Sequence, residues 1–150
     1  MQRCAVVAVV FPMIKRRTAI DANLLIAAWS GRSGLFEPAL EILEDPARVL
    51  IVSDALWLEV IPKTVYFAQH EEYVFYQGVF AQAEYLGWSS ELIDSAKRLA
   101  QLYGLAAMDA VHIAVALAAG ADEFISGEKP TKPMFRVKEI AVQSLWGFRL

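Results

Sequence analysis

The sequence predicts an α/β domain in which a central parallel sheet is covered by helices on both faces. Short runs rich in β-branched residues alternate with longer segments of helical period along most of the chain. Residues 49–52, Val-Leu-Ile-Val, are apolar throughout, as a strand buried on both faces must be. Residues 105–119 are apolar nearly all round, which places a helix there at the centre rather than at the surface.

Taken in order, the first strand is expected over 14–20, ending at Asp21, Ala22 and Asn23, a cluster able to cap a helix over 24–29. The loop 30–34 precedes a helix over 36–43, stopped near Asp45 and Pro46. After the strand at 49–52, Ser53 and Asp54 cap a helix carrying Leu56, Trp57, Glu59 and Val60, with Pro62 disturbing its end. Phe75, Val79, Ala83 and Leu86 keep helical spacing, so one helix is expected over 71–86, its stripe widened by Tyr76 and Phe80. Ser89 or Ser90 caps a helix through Leu102 that Gly104 ends. Gly120 stops the apolar helix, a strand follows over 124–126, and 140–142 reads as the last. The loop 127–136, with two prolines and two lysines, is long enough to carry function. Trp29, Trp57, Trp88 and Trp146 are expected as buried anchors. The aromatic set Tyr66, Phe67, Tyr73, Phe75, Tyr76 and Phe80 fits core packing or a dimer surface better than base stacking, because it keeps helical period.

Composition narrows the function. A chain of 150 residues has the length of one domain, and 57% apolar with 21% charged residues excludes a disordered or low-complexity protein. A net charge of -3 excludes a global basic field, so any phosphate-binding surface must be local. Cys4 is the only cysteine, which excludes an intramolecular disulfide and a thiolate metal cluster. Residues 4–14 are nearly all apolar but shorter than the about 20 needed to span a bilayer. Pro12 and then Lys15, Arg16 and Arg17 stand where a secretory signal would have its small-residue cleavage site. A cytoplasmic protein without membrane attachment is therefore expected. Residues 1–12 are set apart as an N-terminal extension, either an over-long reading frame whose true start is Met13, an extra strand or a disordered tail, with the domain over 13–150.

Four acids stand out from the solvated charge on polar helix faces. Asp21 follows an apolar strand and precedes a helix, at the edge where open α/β sheets bind ligands, though it would serve equally as an N-cap. Glu59 interrupts an otherwise apolar helix, either as a surface residue reaching solvent or as a buried acid. Asp109 lies in the first turns of the most apolar helix, where a carboxylate is costly without a partner or cation. Glu128 comes just after the 124–126 strand. Carboxylates sharing one pocket repel, and either take up protons or recruit a cation. Oxygen-only ligation selects Mg²⁺ or Mn²⁺, and such an ion suits hydrolysis of a nucleic-acid backbone. His112, three residues after Asp109, is read as a structural hydrogen-bonding group. No glycine-rich phosphate loop of the Walker or dinucleotide type is present.

The order of these motifs resembles the PIN-domain family. Thr18 to Leu25, containing Asp21 and Asn23, is similar to its first motif. Glu59 falls at its second acid, Met108 to Ala114 at its third motif, and Phe124 to Glu128 at its fourth, where the family usually has Asp. The resemblance spans roughly residues 14–145. It implies a PIN-like fold and a metal-dependent endoribonuclease of the kind found as the toxin in bacterial and archaeal toxin–antitoxin pairs. Asp21, Glu59, Asp109 and Glu128 would be the catalytic, Mg²⁺- or Mn²⁺-binding acids, and Asn23 and Ser126 hydrogen-bonding supports. Lys129, Lys132 and Arg136, together with Lys15 to Arg17, are candidates for steering the RNA backbone. The expected partners are RNA, a small antitoxin and a second copy of the chain. Two alternatives stay open: a PIN-fold RNA-binding or interaction module that no longer cuts, motivated by Glu128, and a flavodoxin-like small-ligand binder whose four acids never meet.

Overall fold

The computed structural model describes residues 14–32 and 34–148, so the expectations for residues 1–12, including Cys4, and for a start at Met13 lie outside the described residues. Its strands are β1 (Arg16–Ile20), β2 (Arg48–Ser53), β3 (Glu84–Leu86), β4 (Glu123–Ser126) and β5 (Ala141–Ser144). They pair in the order β3-β2-β1-β4-β5, every neighbour parallel. The helices are α1 (Ala22–Ser30), α2 (Phe36–Glu44), α3 (Asp54–Tyr66), α4 (His70–Gln82), α5 (Ser90–Tyr103) and α6 (Ala107–Ala118), and a 3₁₀ turn covers Pro133–Arg136.

The strand period of two divides the core into two layers. Ala19, Ile51 and Phe124 point to the face packed by Leu92 and Leu99 of α5 and by Ile113 of α6. Their neighbours Ile20, Val52 and Ile125 point to the opposite face, under residues of α1, α2, α3 and α4 that include Leu24, Ile42, Leu56 and Tyr76. Both faces are thus covered, and α6, apolar over most of its surface, is buried from Ala110 to Ala116. Caps set the helix ends where the sequence places them. Ser53 accepts the Leu56 N–H and Ser89 the Leu92 N–H, each at 3.2 Å, and Gly104 closes α5 at a φ of 68° that only glycine adopts freely. No single described helix is long and apolar enough to cross a membrane.

Four expectations are corrected. The segment 71–86 is not one helix: α4 stops at Gln82, and residues 84–86 form β3 at the sheet edge beside Ile51, Val52 and Ser53. The spacing of Ala83 and Leu86 fits a helix as well as a short strand, and what decides is long-range. The Arg17 guanidinium holds the Glu84 carboxylate through two bonds of 2.7 and 2.8 Å, while the Tyr85 hydroxyl donates to Asp54. Pro62, expected to disturb the end of its helix, is accommodated inside α3, which runs on to Tyr66, the Thr64 hydroxyl donating to the Ile61 carbonyl in that last turn. Trp29, Trp57 and Trp88 are exposed rather than buried anchors, and Trp146 is only partly buried. The aromatic set divides between the two roles the sequence allowed, with Tyr76 and Phe80 in the core and Tyr66, 83% exposed, at the surface. Finally, Arg16 and Arg17 open β1 at the amino edge of the sheet, occupied by Glu123 and Glu84, and so lie at the opposite end from Asp21.

The strand order fixes where a ligand site belongs. From β1 the chain steps outward to β2 and β3, then returns to β4 on the other side of β1. The carboxyl ends of β1 and β4 therefore flank the switch point at which open parallel sheets form a crevice.

Candidate functional site

Asp21 follows β1 directly and caps α1 while also facing this crevice, so the two readings of it coexist. Its Oδ1 accepts the Leu24 N–H at 3.0 Å and the Gly127 N–H at 3.1 Å, and Oδ2 accepts the Ser126 hydroxyl. The side chain is buried. Burial pushes its carboxyl above the usual range, against these three hydrogen bonds, which favour the charged form. Ser126, the last residue of β4, thus orients Asp21, and its Oγ also accepts the Glu128 N–H at 3.0 Å.

Asp109 enters from the first turn of α6, where the helix dipole favours negative charge. Burial again raises its carboxyl, and the charges of Glu128 and Asp21 raise it further, with His112 and Lys132 opposing. No described residue donates a hydrogen bond to it. Glu128 sits just beyond β4, accepting from the Asn23 Nδ2 at 2.7 Å, with Lys132 Nζ 4.0 Å from its other oxygen. Asp21, Asp109 and Glu128, from three separate elements, therefore lie within electrostatic reach of one another.

Glu59 reaches this group only indirectly. It projects from α3, and its Oε1 pairs with Nε2 of His112, which is buried one turn along α6 from Asp109. His112 makes a hydrogen bond, as its sequence context suggests, but the partner is a candidate acid 53 positions away, which no local pattern reveals. The far side of Glu59 faces a groove containing Lys63 and Phe67.

Oxygen-only donors, two of them with pKa values raised by burial, are chemically suited to a hard divalent cation. As they stand, no three acid, His or Cys side chains among the described residues are close enough together to hold a metal ion. Glu128 is drawn toward Asn23 and Lys132, and Glu59 toward His112.

Gly127 carries a requirement that the sequence reading missed. A Cβ there would lie 2.6 to 2.8 Å from the backbone carbon, Cβ and carbonyl oxygen of Asn23. The loop after β4 can therefore lie against α1 only with glycine. A glycine between a strand end and a candidate acid was the available signal. Gly127→Ala is expected to lower stability by about 1–3 kcal/mol, the usual cost of overpacking, and to move the N–H off Asp21. Thermal unfolding checks the first effect, and an unchanged melting temperature would contradict it.

The basic candidates separate. Lys129 and Lys132 line a pocket that also contains Asn23 and Glu128. Arg136 is exposed on the 3₁₀ turn and does not line it. Arg32 and Trp146, not singled out in the sequence, do.

The fold with acids at its switch point defines a PIN-type α/β domain, and comparison with known proteins agrees. The PIN domain family model matches residues 18–130, and the chain belongs to that family. No curated protein sequence matches it significantly. Among solved structures, it is similar to the VapBC2 complex of Rickettsia felis, which was bound to a DNA fragment from its promoter. The identity is 13% and the TM-score 0.65, over 85% of this chain and 98% of that one. A toxin–antitoxin complex from Klebsiella pneumoniae is 23% identical with a TM-score of 0.58, over 74% and 86%. VapC20 of Mycobacterium tuberculosis, a sarcin–ricin loop cleaving toxin, is 13% identical with a TM-score of 0.58, over 71% and 86%. At these identities the likeness is one of fold.

Proposed function

We propose that this protein is a divalent-metal-dependent endoribonuclease and the toxin of a toxin–antitoxin pair. The observation that supports the proposal is that Asp21 and Glu128 lie within electrostatic reach of Asp109 beside the switch point, with no described cation strong enough to restore the two raised carboxyls to their usual range. Such an arrangement lowers its own free energy by taking up a multivalent cation, and Mg²⁺ or Mn²⁺ is the hard ion its oxygens select. Asp21 and Asp109 would hold the ion. Glu128 and Glu59 would hold its waters or complete its shell, Glu128 reaching one methylene farther than the Asp usual in the family. When bound, the ion supplies charge neutralisation on a phosphodiester and a more acidic water.

The chain's own residues do the remaining work. Ser126 and the Gly127 N–H keep the Asp21 carboxylate in one orientation. Asn23 fixes Glu128, and His112 fixes Glu59 at the edge of the site, where it can accept a proton from an attacking water. Lys129 and Lys132 attract the RNA backbone. The neighbouring toxin structures support the toxin reading. The exposed Leu58 and Tyr66 of α3, with Phe67 just beyond its end, suit burial by an antitoxin or a second copy of the chain.

The test is cleavage of RNA with Mn²⁺ by the native protein and by Asp21→Asn. Loss of cleavage in the variant is expected. Cleavage that survives it would refute the proposed chemistry, and a native protein that binds RNA without cutting would favour the non-cutting interaction module motivated by Glu128.

A further inference from the structure

The pocket beside the acids has the opposite charge to the protein as a whole. Its walls carry three cations, Arg32, Lys129 and Lys132, against one carboxylate, Glu128, in a chain of net charge -3. Arg32 comes from the loop after α1 and the lysines from the loop after β4, so the charges converge from separate segments rather than from one solvated run.

Trp146 organises two of them. Its indole N–H donates to the Gly127 carbonyl at 3.0 Å, which ties the ring to the loop that also orients Asp21. Over that ring stand the Arg32 guanidinium, 5.3 Å from the centroid, and the Lys129 ammonium, 5.2 Å from it. Cations held on an aromatic face keep their remaining N–H groups free to donate. Two like charges gathered at one ring repel each other, and an anion between them removes that repulsion.

We propose that this pocket is a phosphate subsite, in which Arg32 and Lys129 bind an internal phosphodiester of the RNA strand next to the one at the acids, with Trp146 as the positioning residue that holds both cations. The assignment rests on the endoribonuclease reading and extends it by fixing on which side of the acids the strand runs: past Asn23 and the loop after β4, over Trp146. Arg32 is exposed and its guanidinium makes no hydrogen bond with a described residue, while its backbone carbonyl, which accepts the Leu35 and Phe36 N–H groups, survives substitution, so replacing the side chain leaves the core intact.

The experiment measures calorimetrically the binding of a short, unlabelled, mixed-sequence single-stranded RNA with hydroxyl ends, so that only internal phosphodiesters are present. Asp21→Asn is the background, which separates binding from cleavage. Arg32→Gln and Lys129→Gln should each weaken binding about tenfold, as expected for loss of one charged hydrogen-bonding contact. Each should also reduce the slope of log affinity against log salt by about 0.7, the value for one phosphate contact on a single strand. Trp146→Phe, which loses the N–H but keeps a ring, should weaken binding less than either, with an unchanged salt slope. Unchanged affinity and slope in both glutamine variants, with cleavage by the native protein intact, would overturn the subsite and leave the nuclease reading standing. A native protein that neither binds nor cuts RNA would overturn both.

Discussion

Asp109→Asn is expected to abolish RNA cleavage while leaving the metal-free protein as stable as the native one or more so. The activity loss should reach at least about 100-fold, because even residues that only support metal ligands cost 10–100-fold when removed. The stability direction follows from the surroundings of this carboxylate. It accepts no hydrogen bond from a described residue, so the amide breaks none, and the charges of Glu128 and Asp21 raise it beyond what burial does. Its folded pKa lies above the unfolded one. Between those two values the native state binds more protons than the unfolded chain, so native stability falls as pH rises through that window, from near the ordinary Asp value of about 4 up to the raised folded value. The stability difference between variant and native protein should therefore widen as pH rises through that window. Mn²⁺ should narrow it by stabilising the native protein selectively. Thermal melts across pH with and without Mn²⁺ read all three effects. A variant that melts below the native protein throughout would contradict the picture of an acid held at a cost for function, and retained cleavage would contradict its role.

This trade also explains how much of the molecule was legible in the sequence. The layers and most helix limits follow from local chemistry: Ser53 and Ser89 cap as their positions suggest, α6 is buried as its composition demands, and of the all-apolar 49–52 run Ile51 and Val52 are buried while Val49 and Leu50 are only partly covered. Asp21 and Asp109 were visible because each breaks a local rule, a charge placed against apolar segments. What remained hidden depends on contacts distant in sequence. The strand character of β3 comes from Arg17 and from pairing with β2, not from residues 84–86 themselves. The His112 partner of Glu59, the contact between Gly127 and Asn23, and the seating of Arg32 over Trp146 all join segments far apart in the chain. The tryptophans misled for a related reason. Size and apolarity make burial the default, and whether a large ring on an outer helix is covered depends on neighbours that sequence period does not reveal.

The clearest such case lies at the other end of the sheet, and it carries the largest expected stability effect. Glu123 opens β4 and is only 1% exposed, although nothing in its sequence context distinguishes it from a surface acid. Its carboxylate pairs with the Arg48 guanidinium, lies 3.1 Å from Arg16 Nε, and accepts the Thr18 hydroxyl at 2.9 Å. These partners come from β1 and β2, so one buried charge links the amino ends of the three central strands. The Arg16 pair contributes little, because that side chain is 55% exposed and screened. Arg48, at 11%, is not. Glu123→Ala would strand its charge and leave Thr18 without its acceptor, a loss of about 3–5 kcal/mol for a broken buried pair. At about 2–4 °C per kcal/mol for a chain of this size, the melting temperature should fall by roughly 6–20 °C. Glu123→Gln, which keeps an acceptor for Thr18 but not the charge, should fall between the two. Both variants should keep the native RNA cleavage rate well below their melting temperatures, since the acids stand at the opposite edge of the sheet. A shift of only about a degree in Glu123→Ala would mean that the pairing adds nothing to the fold. A large loss of cleavage in the folded variant would mean that the two edges of the sheet are coupled, and that the candidate acids cannot be treated as set by the carboxyl ends of β1 and β4 alone.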